Sequence, residues 1–303
     1  MPATRGVQGF SIFELLVSLA ILGIVTVQIL GMISTQQHQA STHREVVEVQ
    51  EDVRLISDLM LADIRMAGFM LPNSVGLSSV DGGNAASDVV CTSDASIIDP
   101  AVLVGVTDRF SGARLTTNLD AADTSITLNA GDLDVDGDGD NDFAAGSGVI
   151  VSDGISTHCG RITGVTTSGV TRTISFTPAT PGGFSIGSGA GVAAPAVVYE
   201  VTAAGLLRNN QLFSGQVEDL QIEFGVDSDS DGELTGGEFP IHSLIADTAL
   251  VRSVRLTVVT RTERDDQGFL TDGRPAIANR SAGAADTIRR RIAVNTIAPR
   301  NYL

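Results

Sequence analysis

The chain has 303 residues, which is enough for one large domain or two small ones. Its formal net charge of −17 argues against general binding to nucleic acid, because an acidic surface repels phosphates. Aromatic residues make up only 4% of the chain and Trp is absent, so a core must be built mainly from aliphatic side chains.

The first predicted element is an apolar segment, residues 10–33, which follows a short leader, residues 1–9, with Arg5 as its one charged residue. The segment is long enough to cross a bilayer. A cleaved secretory signal is disfavoured, because the following STQQHQA is a poor match to a small-residue cleavage site. An ordinary single-pass anchor leaves Glu14 unexplained, since a carboxylate inside a span costs about 2.5–3.5 kcal/mol without a partner.

Gly9, Phe10 and Glu14 together resemble the N-terminus of type IV prepilins. That family has a short basic leader, a Gly, an N-methylated Phe and a Glu at the fifth mature position. The resemblance implies that a prepilin peptidase cuts between Gly9 and Phe10 and methylates the new amine. With Arg5 on the cytoplasmic side, the chain would cross the inner membrane once, with a periplasmic head. After assembly it would lie in a pilus at the cell surface.

The same resemblance gives Glu14 a role in assembly. In the family, this carboxylate is thought to pair with the Phe10 amine of a neighbouring subunit, and opposite charges in a low dielectric offset part of the desolvation cost. The expected partners are other minor and major pilins through the N-terminal helix, the prepilin peptidase, the inner-membrane assembly platform and a tip adhesin. No nucleic acid partner is expected.

Residues 34–71 are predicted to continue the helix as an amphipathic segment that ends near Gly68 and Pro72. Together the two segments would form one helix of about 60 residues. Residues 63–69, DIRMAGF, resemble a signature of PilW-type minor pilins. The apolar stripe recurs at three- and four-residue steps and comprises Val46, Val49, Val53, Ile56, Met60, Ile64 and Ala67.

Residues 72–303 are predicted to form a β-rich head, which gives an α+β fold resembling that of pilins: one long helix packed on an antiparallel sheet. Strands are predicted at residues 148–151, 161–165 and 171–176. Alternating apolar residues at 217–224 and 254–258 predict two antiparallel strands, each with one buried face. The end of the chain resembles the terminal strand of PilW-type proteins, with residues 289–291 as an edge-strand charge cluster. The topology of residues 73–205 stays open.

Cys91 and Cys159 are the two cysteines of the chain. They are either two buried free thiols or a disulfide. The export that the resemblance implies favours the disulfide. Closing so long a loop would stabilise the fold by roughly 4 kcal/mol.

Residues 227–238, DSDSDGELTGGE, fit the calcium-loop pattern D-x-D-x-D-G-x5-E. The flanking segments are predicted as strand and loop, so this is a single loop and not a paired EF-hand. The alternative is a solvated acidic turn. The predicted Ca²⁺ ligands are the carboxylates of Asp227, Asp229 and Asp231, the backbone carbonyl of Glu233, Thr235 directly or through water, and both carboxylate oxygens of Glu238.

A second acidic run lies at residues 132–143 and lacks the closing Glu, since the twelfth position from Asp134 is Ala145. It is either a weaker calcium loop or a charged, flexible insertion. Its candidate ligands are Asp134, Asp136, Asp138, Asp140 and Asp142.

No enzyme is expected. Residues 183–187 match G-x-S-x-G, but no helix is predicted after them, and the four histidines are too scattered for a zinc site. The favoured function is a minor pilin that primes or caps filament assembly and supports twitching motility and adhesion. The alternatives are a minor pseudopilin of a type II secretion system and a membrane-tethered calcium-binding adhesin.

Overall fold

The computed structural model describes residues 11–104, 106, 108–242, 250–266 and 269–302. It is an α+β protein with one long helix and antiparallel strands, as predicted. The chain divides into two compact units, Met1–Glu48 and Val49–Leu303. The predicted cleavage site at Gly9 and Phe10 lies outside the described residues.

The described part of the chain contains helix α1, short 3-10 helices and fifteen strands. The 3-10 helices are Asn73–Val75, Ala95–Ile97, Ala130–Leu133 and Arg300–Tyr302. Helix α1 is Ile12–Met66, and the strands are β1 Leu77–Val80, β2 Val89–Ser93, β3 Ala113–Arg114, β4 Leu119–Asp120, β5 Ser125–Asn129, β6 Gly148–Ser152, β7 Thr157–Ser168, β8 Thr171–Thr177, β9 Ser185–Ile186, β10 Val192–Thr202, β11 Gly205–Arg208, β12 Gln211–Ser214, β13 Val217–Val226, β14 Val251–Arg261 and β15 Arg290–Ile297.

The last part of α1 packs into the main core of the second unit. Ile56, Met60 and Ile64 are buried and join apolar side chains of β13 and β14, so the predicted helical stripe is confirmed there. Their spacing of four residues places them on one face of the helix. Polar contacts hold the same face, because Asp63 accepts hydrogen bonds from the hydroxyl of Tyr199 at 2.5 Å and from Arg208 at 3.0 Å.

The C-terminal end of α1 is closed by residues distant in the sequence. The side-chain amide of Asn301 donates to the carbonyls of Met66 and Ala67, at 3.2 and 3.0 Å. Arg109 donates to the Leu71 carbonyl at 2.9 Å. Asn301 thus satisfies the Ala67 carbonyl and adds a second hydrogen bond at Met66, whose carbonyl also accepts the Phe69 N–H at 2.9 Å, and Arg109 holds the segment that follows the helix. Gly68 follows with φ of 74°, which ends the helix near the predicted position.

All sheet pairings in the described chain are antiparallel. The largest sheet runs in the order β1-β2-β10-β6-β7-β8-β5, with β3 and the β11–β12 hairpin paired beside β10. The second sheet runs β13-β14-β15, and β4 pairs with β9. The strands predicted at residues 148–151, 161–165 and 171–176 fall within β6, β7 and β8.

Cys91 on β2 and Cys159 on β7 form a disulfide, with a Cα–Cα distance of 6.2 Å. Two strands, β10 and β6, lie between β2 and β7 in the sheet order. In a flat sheet their separation would be about 14 Å, at roughly 4.8 Å per strand. The sheet therefore curls sharply at this point, and the disulfide lies inside a small apolar cluster with Leu71 and Ile150.

The prediction that β13 has a single buried face is wrong. Leu220, Ile222 and Phe224 point into the main core, but the alternating polar residues are buried as well. Asp219 is fully buried because Arg274 and Arg280 cover it, with N–O distances of 2.9 and 2.5 Å. A segment from elsewhere in the chain thus covers a face that the alternation assigns to solvent.

The predicted terminal strand is β15, at the edge of the three-stranded sheet. The side chain of Arg290 is almost completely buried. It forms ion pairs with Glu218 and Asp286, each with an N–O distance of 2.5 Å. Arg289 pairs with Asp266 at 2.7 Å. Arg290 and Arg291 therefore lie on an edge strand, as predicted, with Arg289 directly before it, and Arg289 and Arg290 also tie that strand to the neighbouring segments.

Asp88 connects the two larger sheets. Its carboxylate accepts the N–H of Gly82 at 2.9 Å and the N–H of Ile222 on β13 at 2.8 Å. Burial raises the pKa of Asp88 to about 7, and the nearby carboxylates of Asp81 and Asp219 add to that rise.

Candidate functional site

The first part of α1 presents apolar side chains on every face. The large apolar residues between Ile12 and Ile33 are 41–82% exposed. An 18-residue window of this helix is long and apolar enough to cross a membrane, and none of it is buried by the protein itself. A helix that is apolar all round requires an apolar environment. Membrane anchoring is the role that this composition suggests.

The hydroxyl groups in this part of the helix are satisfied internally. Ser18 donates to the Glu14 carbonyl at 2.8 Å, and Thr26 donates to the Leu22 carbonyl at 2.8 Å. Because a bilayer core offers no water, a hydroxyl there needs a partner within the protein. Bonding back to the preceding turn supplies that partner without a second helix.

Glu14 forms a capping box with Ser11 at the start of α1. The Glu14 N–H donates to the Ser11 hydroxyl at 3.3 Å, and the Ser11 N–H donates to the Glu14 carboxylate at 3.2 Å. This contact was missed in the sequence reading, although the S-x-x-E spacing is its recognised signal. The carboxylate thus has a local role within the chain. The intersubunit pairing predicted for Glu14 requires a second subunit and stays a prediction.

The acidic loop at residues 227–238 follows β13. Carboxylate oxygens of Asp227, Asp229 and Asp231 all lie within 4.8 Å of one another. Asp227 is fully buried, and its Oδ2 accepts the Gly232 N–H at 3.1 Å and contacts Arg252 Nε at 3.1 Å. Its Oδ1 has no hydrogen-bond partner among the described residues. Asp229 and Asp231 are exposed.

The other predicted ligands of this loop form its internal frame. Glu238 accepts hydrogen bonds from the N–H and hydroxyl of Ser228, both at 2.7 Å, and from the Thr235 N–H at 2.9 Å. The hydrogen bonds from Thr235 and Ser228 lower the pKa of Glu238 to about 2, so this carboxylate is ionised at neutral pH. The Glu233 N–H donates to Asp231 at 2.8 Å.

The second acidic run also brings three carboxylates together. Oxygens of Asp134, Asp136 and Asp138 lie within 4.8 Å of one another. Asp136 is buried, but its two oxygens accept N–H groups of Asp99 at 2.7 Å and of Asp138 at 3.2 Å.

The remaining two carboxylates of this run differ in environment. Asp142 accepts the Val135 N–H at 2.6 Å. Burial raises the pKa of Asp142 to about 6, with the charges of the neighbouring aspartates adding to that rise. Asp140 is exposed, and its N–H donates to Asp138 at 2.9 Å.

The helix and the head define a class of protein: an N-terminal apolar helix of the kind that anchors a protein in a membrane, followed by an antiparallel β-rich unit. Residues 184–301 match the family model of PilW, described as Type IV Pilus-assembly protein W. This match confirms the resemblance to PilW-type proteins and points to type IV pilus assembly. Neither a curated protein nor a solved structure matches the chain.

The matched segment runs from β9 to the residue that closes α1. Asn301, the last matched position, donates to carbonyls at the end of the helix, within residues 63–69. The two stretches whose sequences resemble PilW-type proteins are therefore in direct contact. This contact gives a physical reason for finding both in one chain.

Proposed function

We propose that this protein is a minor pilin of a type IV pilus, which primes or caps filament assembly. One observation carries the proposal: a chain whose residues 184–301 match the PilW family model also contains a helix, Ile12–Met66, whose first part is apolar and exposed on all faces. Such a surface needs lipid before assembly and other apolar helices afterwards. The role is structural and non-enzymatic.

In this proposal, residues 10–33 span the inner membrane and the head lies in the periplasm. Entry into a filament replaces lipid around the helix with the apolar helices of neighbouring subunits. The move from lipid to neighbouring helices exposes little apolar surface to water. The hydrophobic effect therefore opposes this move only weakly. Packing and specific polar contacts then decide whether the subunit leaves the bilayer.

Glu14 supplies such a contact in the proposed mechanism. Cleavage after Gly9 would create an amine on Phe10, and the carboxylate of Glu14 on an adjacent subunit would pair with it. In an apolar environment an unpaired carboxylate is unfavourable, and a partner offsets that cost. Before docking, the capping box with Ser11 holds the carboxylate at the helix start.

The size of the head favours a minor over a major subunit. The chain after α1 has more than 230 residues, which is a large unit to repeat throughout a filament. The PilW match supports a pilus over a secretion pseudopilus. Twitching motility and adhesion would follow from the effect on filament number, through contacts with other pilins, the assembly platform and a tip adhesin.

The test is mass spectrometry of the mature N-terminus, with and without a prepilin peptidase. The expected result is a chain that begins with methylated Phe10 in cells that contain the peptidase and keeps residues 1–9 in cells that lack it. A Gly9→Val variant should stay unprocessed in both. An uncleaved chain in the presence of the peptidase, or cleavage after residue 33, would overturn the proposal.

A further inference from the structure

We propose that the loop at residues 227–238 binds one Ca²⁺ ion. The loop leaves β13 and is part of the segment that matches the PilW family. The inference goes beyond filament assembly, because it concerns a metal site in the head and is tested on the isolated protein.

The buried oxygen of Asp227 is the observation that points to a ligand. The Asp227 side chain has no solvent exposure, and its Oδ1 has no hydrogen-bond partner among the described residues. A buried polar atom is normally paired, and an ionised oxygen without a donor is costly. A cation at Oδ1 would provide the missing partner.

The geometry of the three aspartates suits a single ion. Calcium binds oxygen at 2.3–2.6 Å, so two oxygens on opposite sides of one ion are about 5 Å apart. Oxygens of Asp227, Asp229 and Asp231 lie within 4.8 Å of one another, which is inside that limit. One ion can therefore contact all three carboxylates. Further oxygens come from the Glu233 carbonyl, Thr235, Glu238 and water in the loop pattern.

The charge of the site also favours a divalent cation. Three aspartates converge, while Arg252 Nε pairs with Asp227 Oδ2 at 3.1 Å. Arg252 thus neutralises part of the charge and leaves Oδ1 and the exposed carboxylates of Asp229 and Asp231 for an ion. Glu233 and Glu238 add negative charge on the loop, which increases the attraction for Ca²⁺.

The second acidic loop lacks the same evidence. It holds three aspartates at the same separation, but both oxygens of the buried Asp136 accept backbone N–H groups. No described carboxylate oxygen in that loop is buried without a partner. The proposal is therefore restricted to residues 227–238.

The second loop nevertheless supplies a matched control. Asp231 and Asp138 each occupy the fifth position of a loop that begins at Asp227 or Asp134, and both are exposed. Replacing either one with Ala removes the carboxylate, whereas Asn would keep an oxygen that calcium loops accept at this position. Neither change alters the core, so both variants are expected to fold.

The experiment uses full-length protein in detergent, stripped with a chelator and dialysed against radioactive calcium. Compared with wild type, Asp231→Ala should lose one bound ion per chain, and Asp138→Ala should keep that ion. Asp229→Ala is a second variant at an exposed ligand and should repeat the loss. At calcium about 100-fold above Kd, the wild-type melting temperature should rise by about 5–10 °C, and Asp231→Ala should not show this rise.

Three outcomes would overturn the proposal. Wild-type protein that binds no calcium would exclude the site. Unchanged binding in Asp231→Ala and Asp229→Ala, with loss in Asp138→Ala, would assign the ion to the other loop. An equal rise in melting temperature with the same concentration of Mg²⁺ would show that the site is not one for calcium. None of these outcomes depends on whether the chain enters a pilus.

Discussion

Helix α1 uses apolar residues for two different purposes in its two parts. In residues 12–33 the large apolar side chains are 41–82% exposed, whereas Ile56, Met60 and Ile64 are at most 1% exposed. Both parts are helical and rich in aliphatic residues. The difference is that the later part carries apolar residues on one stripe with charges elsewhere, so it can pack against a sheet in water. The earlier part needs lipid or other helices.

The strongest test of this comparison is a pair of truncations in the one helix. Met60→Ala removes a fully buried side chain from the main core and should destabilise the head by about 2–5 kcal/mol. Thermal unfolding in detergent should show a loss of about 4–20 °C. Leu19→Ala is the matched control in the exposed part, and its melting temperature should stay within about 2 °C of wild type. An equal loss of melting temperature in both variants would contradict the distinction between a buried and an exposed part of α1.

A change of pH should act on the head and not on the apolar part. The pKa of Asp88 is raised to about 7 in the fold, above its usual value of 3.8. Its contribution to stability is therefore fully present below pH 3.8 and is lost as pH rises through about 7. The Asp88 contribution should lower the melting temperature between pH 5 and pH 8, whereas the buried His158, whose pKa burial lowers, acts in the opposite direction.

The variant Asp88→Asn isolates this contribution. Its melting temperature should fall less steeply over the same range than that of wild type, whatever its absolute stability. A smaller slope from Asp142 would remain, because its pKa is raised to about 6. Parallel slopes for Asp88→Asn and wild type would show that Asp88 does not govern the pH response.

A smaller effect should come from the closure of the helix end. Asn301→Ala removes two hydrogen bonds to the carbonyls of Met66 and Ala67 and should cost about 1 kcal/mol, or roughly 2–4 °C in melting temperature. The neighbouring Arg300→Ala, at an exposed position, should change stability by at most about 0.5 kcal/mol. If both variants melt like wild type, the Asn301 contacts do not secure the end of α1.

Local patterns predicted much of this fold. The stripe that includes Ile56, Met60 and Ile64 and the strands near residues 148, 161 and 171 depend on periodicity within one element. The acidic loop was found in the same way, because its spacing is encoded in twelve consecutive residues. The capping box of Ser11 and Glu14 is equally local, because its S-x-x-E spacing lies within four consecutive residues and is predictable in the same way.

The missed features depend on contacts across long separations. Asp219 is buried by Arg274 and Arg280, which lie 55 and 61 residues away, so no pattern within β13 could reveal it. The curl of the sheet at the disulfide, and the buried Oδ1 of Asp227, also depend on packing that a local window does not contain. Sequence periodicity assigns faces to elements, but only the assembled fold determines what covers them.

The most direct measurement of the central claim is the amount of this chain in sheared filaments, relative to the cells, for wild type, Glu14→Gln and Ser11→Ala. Gln also serves in a capping box, so Glu14→Gln keeps the local contact and removes only the charge. Ser11→Ala does the reverse. The expected result is wild-type incorporation for Ser11→Ala and at least about a tenfold loss for Glu14→Gln. Wild-type incorporation of Glu14→Gln, or the absence of the wild-type chain from filaments, would contradict the account.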